Sequence, residues 1–188
     1  MDNDKFNELL KILFNNISDI KSKGFEFSEI SVNEVFHSIN NVYSEMYKFV
    51  LLYNDYIFST HSYGVDIKFS MIEVHTLTYI EDNPGITSTE LVEYWHKSKS
   101  SISQILKRLE EHKLIRKEAS VKNKRFKLLY VTEKGKKVNE EHRKFDIVDV
   151  SKTLNSLQEK VSKDDISSFF KVINAYNEVI LKDFEINN

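Results

Sequence analysis

Apolar residues recur every three to four positions through most of this chain, and that spacing predicts helices almost from end to end. Phe6, Leu9, Leu10, Leu13, Ile17 and Ile20 make a first stripe, ended at Lys23-Gly24. Ser31 and Glu34 stand at capping-box spacing before a longer stripe of Val35, Ile39, Val42, Tyr43, Met46, Val50, Tyr53 and Ile57. Ser70 and Glu73 open a helix through Val74, Leu77 and Ile80, which Asn83-Pro84-Gly85 stops. Thr87 and Glu90 open a short helix with Leu91, Tyr94 and Trp95. The stretch HKSKSSISQILKRLEEH (96–112) follows, small and hydroxyl-rich at its start, then strongly amphipathic. After it the pattern changes. LIRKEA (114–119) and FKLLYV (126–131) have strand composition and length, and the SVKNKR between them makes a basic hairpin with a long tip. Thr132 caps a further helix carrying Val138, His142, Phe145, Val148, Leu154, Leu157 and Val161, with room for a break at Asp146 or at Asp149-Val150-Ser151. A last helix starts near Ser162 to Asp164 and carries Ile166, Phe169, Phe170, Ile173, Tyr176, Ile180 and Phe184.

The fold class is therefore mainly α with one small β hairpin. The expected divisions are an N-terminal helical extension over 1–30, a long helix with its linker over 31–66, a central lobe over 67–137 and C-terminal helices over 138–188. The terminal helices are too apolar to stand alone, which points to a homodimer built from the two ends of the chain. The stripe over residues 6–20 is expected to pack on those same helices.

Composition narrows the chemistry. There is no cysteine, so disulfides, thiolate metal sites and cysteine nucleophiles are excluded. Gly24, Gly64, Gly85 and Gly135 build no phosphate-cradling loop. No Gly-x-Ser-x-Gly elbow or paired-carboxylate arrangement is present, so no catalytic residues and no cofactor are expected, and the protein does not read as an enzyme. The opening residues lack the basic segment of a signal peptide, and FVLLY (49–53) is among the longest apolar runs. A cytoplasmic protein without a membrane partner is expected.

Charge adds a location. The chain carries a net charge of −2, yet Lys97 to Lys137 holds 14 Lys and Arg against 4 Asp and Glu, a net of +10. The rest holds 13 against 25, a net of −12. A basic block in an acidic chain points to a polyanion, and double-stranded DNA is the expected partner. At about 100° per residue, Ile102, Ile105, Leu106 and Leu109 fall on one side of the 99–112 helix. Ser100, Ser103, Gln104, Lys107 and Arg108 fall on the other. Small hydroxyls let the helix start approach a surface closely, and its unpaired backbone N–H groups favour phosphate. Gln104 suits adenine, and Lys107 and Arg108 suit guanine edges or phosphates.

The stretch from Phe69 to Lys137 resembles the MarR-type transcriptional regulators. NPGIT (83–87), SSISQILKRLEEHKLI (100–115) and LLYVTEKGKK (128–137) carry the resemblance, in order and at matching spacing. It implies a winged helix-turn-helix lobe flanked by N- and C-terminal dimerisation helices, with a recognition helix for the major groove and a wing for the minor groove. Carried over by position, the recognition residues are Ser100, Ser101, Ser103, Gln104 and Lys107, and the wing arginine is Arg125, with Lys122 and Lys124 beside it; Lys99 and Arg108 on the same helix complete the candidate DNA-binding set. Two positions depart from the family pattern. Asn123 stands where an aspartate often orients the wing arginine, and Lys113 stands where a glycine commonly ends the recognition helix.

The resemblance further implies a small-molecule effector between lobe and dimerisation helices. Tyr43, Tyr47, Tyr53, Tyr56, Tyr63, His75 and Tyr79 are the candidate lining, since tyrosine hydroxyls among apolar groups suit an amphipathic aromatic ligand. Packing is the plainer role for the same stripe. No metal site is expected from spacing, because none of His37, His61, His75, His96, His112 and His142 forms an H-x-x-x-H or H-x-x-E-H pair. Ligands that converge only in space stay open. The expected function is a DNA-binding regulator, a repressor released by a ligand from a palindromic operator. The alternatives are a metal-responsive regulator of the same fold, and a winged-helix interaction or replication module without operator specificity.

Overall fold

The computed structural model describes residue 11, residues 32–120 and residues 126–187, and the chain divides into two units, Met1–Ser59 and Thr60–Asn188. The extension stripe over residues 6–20, the Ser31 cap and the wing tip with Lys122, Lys124 and Arg125 lie outside the described residues.

The first unit presents one long helix, α1 (Val32–Phe58). Aromatic neighbours along it touch one another. Tyr43 and Tyr47 lie 6.2 Å apart, and Phe49 stacks on Tyr53 at 5.6 Å. Val50, Leu51 and Leu52 are exposed in the single chain.

The second unit begins with a short hairpin, β1 (Thr60–Ser62) and β2 (Lys68–Ser70), paired antiparallel with Thr60 opposite Ser70. The Ser62 hydroxyl donates to the Val65 carbonyl at 2.5 Å across its turn. Then come α2 (Met71–Asp82), α3 (Ser88–Trp95) and α4 (Lys99–Glu111). The wing strands are β3 (Ile115–Ala119) and β4 (Lys127–Val131), antiparallel with Ile115 opposite Val131. Ile86 bridges to Leu129 and adds a third short edge. The helices α5 (Glu133–Gln158) and α6 (Lys163–Asn187) complete the unit.

Local chemistry sets these boundaries. The Glu73 carboxylate accepts from the Ser70 backbone N–H at 2.7 Å and from its hydroxyl at 2.9 Å, which fixes the start of α2. At α3 the exchange is reciprocal: Glu90 N–H donates to the Thr87 hydroxyl, and Glu90 accepts from the Thr87 N–H at 2.8 Å. Those bonds hold the Glu90 carboxyl below its ordinary range. Both α3 and α4 end on a left-handed residue that is not glycine, His96 at φ 47 and Lys113 at φ 59. At Lys113 the closure is complete. Its N–H donates to the Glu110 carbonyl at 2.8 Å, and Leu114 N–H donates to the Leu109 carbonyl at 2.9 Å. The glycine expected at this exit is absent, but its backbone shape is kept.

The break for which Asp146 and Asp149-Val150-Ser151 left room does not occur; the helix is long, as its stripe suggests, and runs unbroken from Glu133 to Gln158. Asp146 turns toward two histidines instead of competing for the helix backbone, and no glycine or proline lies between residues 146 and 151. The core of the unit gathers Phe69, Leu77, Ile80, Leu91, Ile102 and Leu129, all fully buried. Each contributes on the order of 1.5–3 kcal/mol by leaving water. Among the described residues no helix is long and apolar enough to cross a membrane.

Candidate nucleic-acid interface and effector region

The periodicity of α4 separates a core face from a solvent face. Ile102, Leu106 and Leu109 are buried, and Ile105, expected with them, is half-buried at the margin of the core. Lys99, Ser100, Ser103, Gln104, Lys107 and Arg108 are all exposed. The serines divide into two roles. Ser98 is the N-cap, its hydroxyl accepting from Ser101 N–H at 3.2 Å and lying 2.8–2.9 Å from the hydroxyls of Ser101 and Ser100. Ser101 is half-buried within that cap, whereas Ser100 and Ser103 face outward.

The two basic residues at the end of the face also differ. Lys107 is extended, 76% exposed, with only a loose 3.8 Å approach to Glu111. Arg108 folds back onto the lobe. Its Nε lies 3.0 Å from Glu73, its terminal nitrogen donates to the Lys68 carbonyl at 2.7 Å, and its guanidinium rests 5.7 Å from the Phe69 ring centre. It joins α4 to the first turn of α2.

Between α3, the outer side of α4 and the wing strands lies an open cavity of about 260 Å³. Ser88 and Thr89 at the start of α3 line it, together with Lys99, Ser103, Lys117 and Lys127. Three lysines and a helix start facing one hollow make a positive, hydrogen-bond-donating seat beside the outward face of α4. Lys117 also pairs with Glu110 at 2.7 Å. Arg116 stacks on Tyr130 at 4.8 Å and stiffens the wing stem.

The candidate effector residues separate. Tyr43, Tyr47, Tyr53 and Tyr56 belong to the first unit, where all four are exposed on α1. In the second unit Tyr79 stacks on Tyr94 at 3.6 Å. Tyr63 is buried and meets the His142 ring edge-on at 5.2 Å. Burial, with Asp146 and Asp149 adding to it, pushes the Tyr63 phenol up to about 12.

His75 joins a group that sequence spacing did not reveal. It lies on α2, 4.7 Å from the ring of His142 on α5, and its Nε2 is 3.4 Å from Asp146 Oδ2. The same oxygen is 3.0 Å from His142 Nε2. Desolvation lowers the His142 pKa below that of an ordinary histidine, outweighing the opposing pull of Asp146, and His75 lowers it further. Asn139, also fully buried, accepts from Thr78 at 2.5 Å and donates to Glu81. Arg143 adds a 3.0 Å contact to Glu81, so α2 and α5 are tied by polar groups along the same seam. The missed signal was a histidine with an aspartate four residues on, HRKFD (142–146), which puts both on one helix face.

Among known proteins, a sequence model described as MarR family matches residues 66–125. No curated protein matches the chain. The transcriptional regulator SlyA is similar in structure, with 23% identity over 62% of this chain and 79% of its own, and a TM-score of 0.53. FabT of Streptococcus pneumoniae, solved in complex with DNA, has 20% identity over 78% of this chain and 98% of its own, with a TM-score of 0.56. ZitR of Lactococcus lactis, a zinc-responsive MarR family member, has 20% identity over 78% and 99%, with a TM-score of 0.54. The order of helices, the two-stranded wing and the match over residues 66–125 agree: this chain carries a winged helix-turn-helix lobe, and residues 66–125 are similar to the MarR family.

Proposed function

We propose that this protein is a sequence-specific transcriptional regulator that reads a palindromic DNA operator as a homodimer and represses until an effector releases it. One observation carries the reading. The outward face of α4 sets Ser100, Ser103, Gln104 and Lys107 in solvent, on a helix whose other face is anchored in the core. Such a helix can enter a major groove without unfolding anything behind it. The basic hollow bounded by Lys99, Lys117 and Lys127 then receives phosphate, and the charges of Lys122, Lys124 and Arg125 in the wing sequence suit further contact with DNA. The DNA-bound FabT structure supports this use of the fold.

Dimerisation rests on the ends of the chain. Many large apolar side chains of α1, among them Phe49, Val50, Leu51 and Leu52, and of α6, among them Phe169, Phe170 and Val172, are exposed in a single chain. Faces of that kind are covered in a stable protein, and a second copy of the chain supplies matching apolar faces. Two-fold symmetry then requires an inverted repeat with half-site centres about 10–10.5 bp apart. Footprinting on the DNA flanking the protein's own coding region tests this. A protected inverted repeat at that spacing is expected. Binding to random duplex with the same affinity would favour a winged-helix interaction or replication module instead.

The effector has two readings. An aromatic small molecule suits the tyrosines. A metal-responsive regulator is favoured by the convergence of His75, His142 and Asp146, and ZitR supplies a zinc-responsive precedent for the fold.

A further inference from the structure

We propose that His75, His142 and Asp146 form a binding site for a zinc-class divalent cation that clamps α2 of the DNA-reading lobe to α5. This rests on the metal-responsive reading above and gives it a site.

The three donor atoms lie within 4.8 Å of one another. A tetrahedral ion held at about 2.0–2.1 Å by its ligands spaces them about 3.3 Å apart. The Asp146 oxygen already stands 3.0 Å from one imidazole nitrogen and 3.4 Å from the other. These are the two edges such an ion needs around its carboxylate ligand.

The protonation pattern strengthens the case. His142 is buried to 2% exposure, and its Nε2 has no hydrogen-bond partner although the carboxylate is within reach. The distance suits a bond but the direction does not. On the other side of the ring, Nδ1 lies 3.4 Å from the Thr78 hydroxyl. That hydroxyl commits its own proton toward Asn139 Oδ1 at 2.5 Å, with the Val74 carbonyl also close. Its oxygen is therefore an acceptor for His142, which places the ring proton on Nδ1. Nε2 is then left as a lone pair facing a carboxylate oxygen. Two electron-rich atoms face each other across 3.0 Å, and a cation between them removes the repulsion. The edge-on Tyr63 ring and Thr78 together fix the orientation of the imidazole, as outer-shell partners do at metal centres.

The donor set selects the ion. Two imidazoles and one carboxylate suit zinc and its neighbours, whereas calcium and magnesium require oxygen ligands throughout. His75 and Asp146 keep about a third of their side-chain surface in solvent, so one side of the site is open to an incoming ion and to a fourth ligand.

The test uses the full-length chain freed of metal by a chelator and then dialysed. Zn²⁺ is titrated against a chromophoric chelator, and Co²⁺ is added in a parallel sample as a spectroscopic probe. One equivalent per chain is expected, with the visible ligand-field bands of a four-coordinate cobalt centre. His75→Ala and Asp146→Asn change half-exposed side chains and spare the buried His142; each should weaken Zn²⁺ binding by about tenfold or more. His37→Ala, on the other unit, should leave it unchanged. Thermal melts confirm that the variants are folded. Absence of stoichiometric binding, or variants that bind as the parent does, overturns the site. Footprinting with and without Zn²⁺ separates the two ideas. A chelated protein that still protects an operator keeps the regulator reading even if zinc fails to bind. Zinc binding without any operator preference keeps the site and removes the regulator.

Discussion

Replacing Gly135 with alanine should destabilise the protein, although alanine is the better helix former. Gly135 is in the first turn of α5, and its N–H donates to the Thr132 hydroxyl at 3.1 Å. A Cβ added there would lie 2.2 Å from the Leu114 carbonyl oxygen and 2.7 Å from Val131 Cγ1, where real Cβ atoms keep at least 3.0 Å. The carbonyl cannot yield freely. It accepts from Thr132 N–H at 2.9 Å and from the Thr132 hydroxyl at 3.1 Å, and Leu114 N–H closes the exit of α4. Moving it by most of an ångström loosens one or two of these bonds, at about 1 kcal/mol each. Overpacking against Val131 adds about 1–3 kcal/mol. Helix propensity returns about 1 kcal/mol. The balance is a net loss of about 1–4 kcal/mol. Urea unfolding followed by circular dichroism, at one fixed protein concentration, measures it. The midpoint should fall with an unchanged slope. A midpoint equal to or above the parent would show that the close approach of Leu114 to Gly135 does not exist in solution, and that the junction of recognition helix, wing and α5 is looser than described.

Two other substitutions probe the same lobe. Lys113→Gly should raise stability by about 0.5–1 kcal/mol, because the left-handed backbone at φ 59 strains any side chain; an unchanged or lower melting temperature would contradict this geometry. Arg108→Met should destabilise the lobe by about 1–2 kcal/mol by leaving the nearly buried Glu73 without its cation, a figure discounted for the exposure of the arginine. Lys107→Met should leave stability unchanged and instead make the salt dependence of DNA binding shallower by about one unit. If the two variants exchange these behaviours, the division of the basic face into strut and contact is wrong.

What could be read from the sequence was local. The Ser70–Glu73 and Thr87–Glu90 boxes close within three residues, and both helices begin where those pairs put them. The wing strands were legible because their composition and length break from helical spacing, and Ile115–Ala119 and Lys127–Val131 lie within the predicted segments. The β1–β2 hairpin was not legible. Its strands have three residues each, and what holds it is tertiary: Phe69 and Tyr63 are buried in the core. Periodicity placed Arg108 on the outward face of its helix without showing that its side chain also meets Glu73. Its partner Glu73 is 35 positions away. The histidine cluster failed for the same reason: His142 and Asp146 share a helix face, but His75 comes from another helix, 67 positions earlier.

These long-range pairs meet on one element. Helix α2 carries Glu73, which holds α4 through Arg108, and His75, which faces α5 through His142 and Asp146. The two side chains are two residues apart, so they leave the helix about 200° apart, toward different neighbours. A helix with one side bound to the reader and the other to α5 transmits to the first any displacement imposed on the second. Thr78, Asn139, Glu81 and Arg143 continue the α5 contact one to two turns further along, so it extends along most of the helix. An effector that favours one α2–α5 spacing therefore need not touch DNA or α4 to change affinity. Differential binding of tenfold to a hundredfold between two spacings is worth about 1.4–2.7 kcal/mol, within the range of ordinary allosteric coupling. That is comparable to the Arg108–Glu73 strut itself, so the strut can carry the signal without breaking.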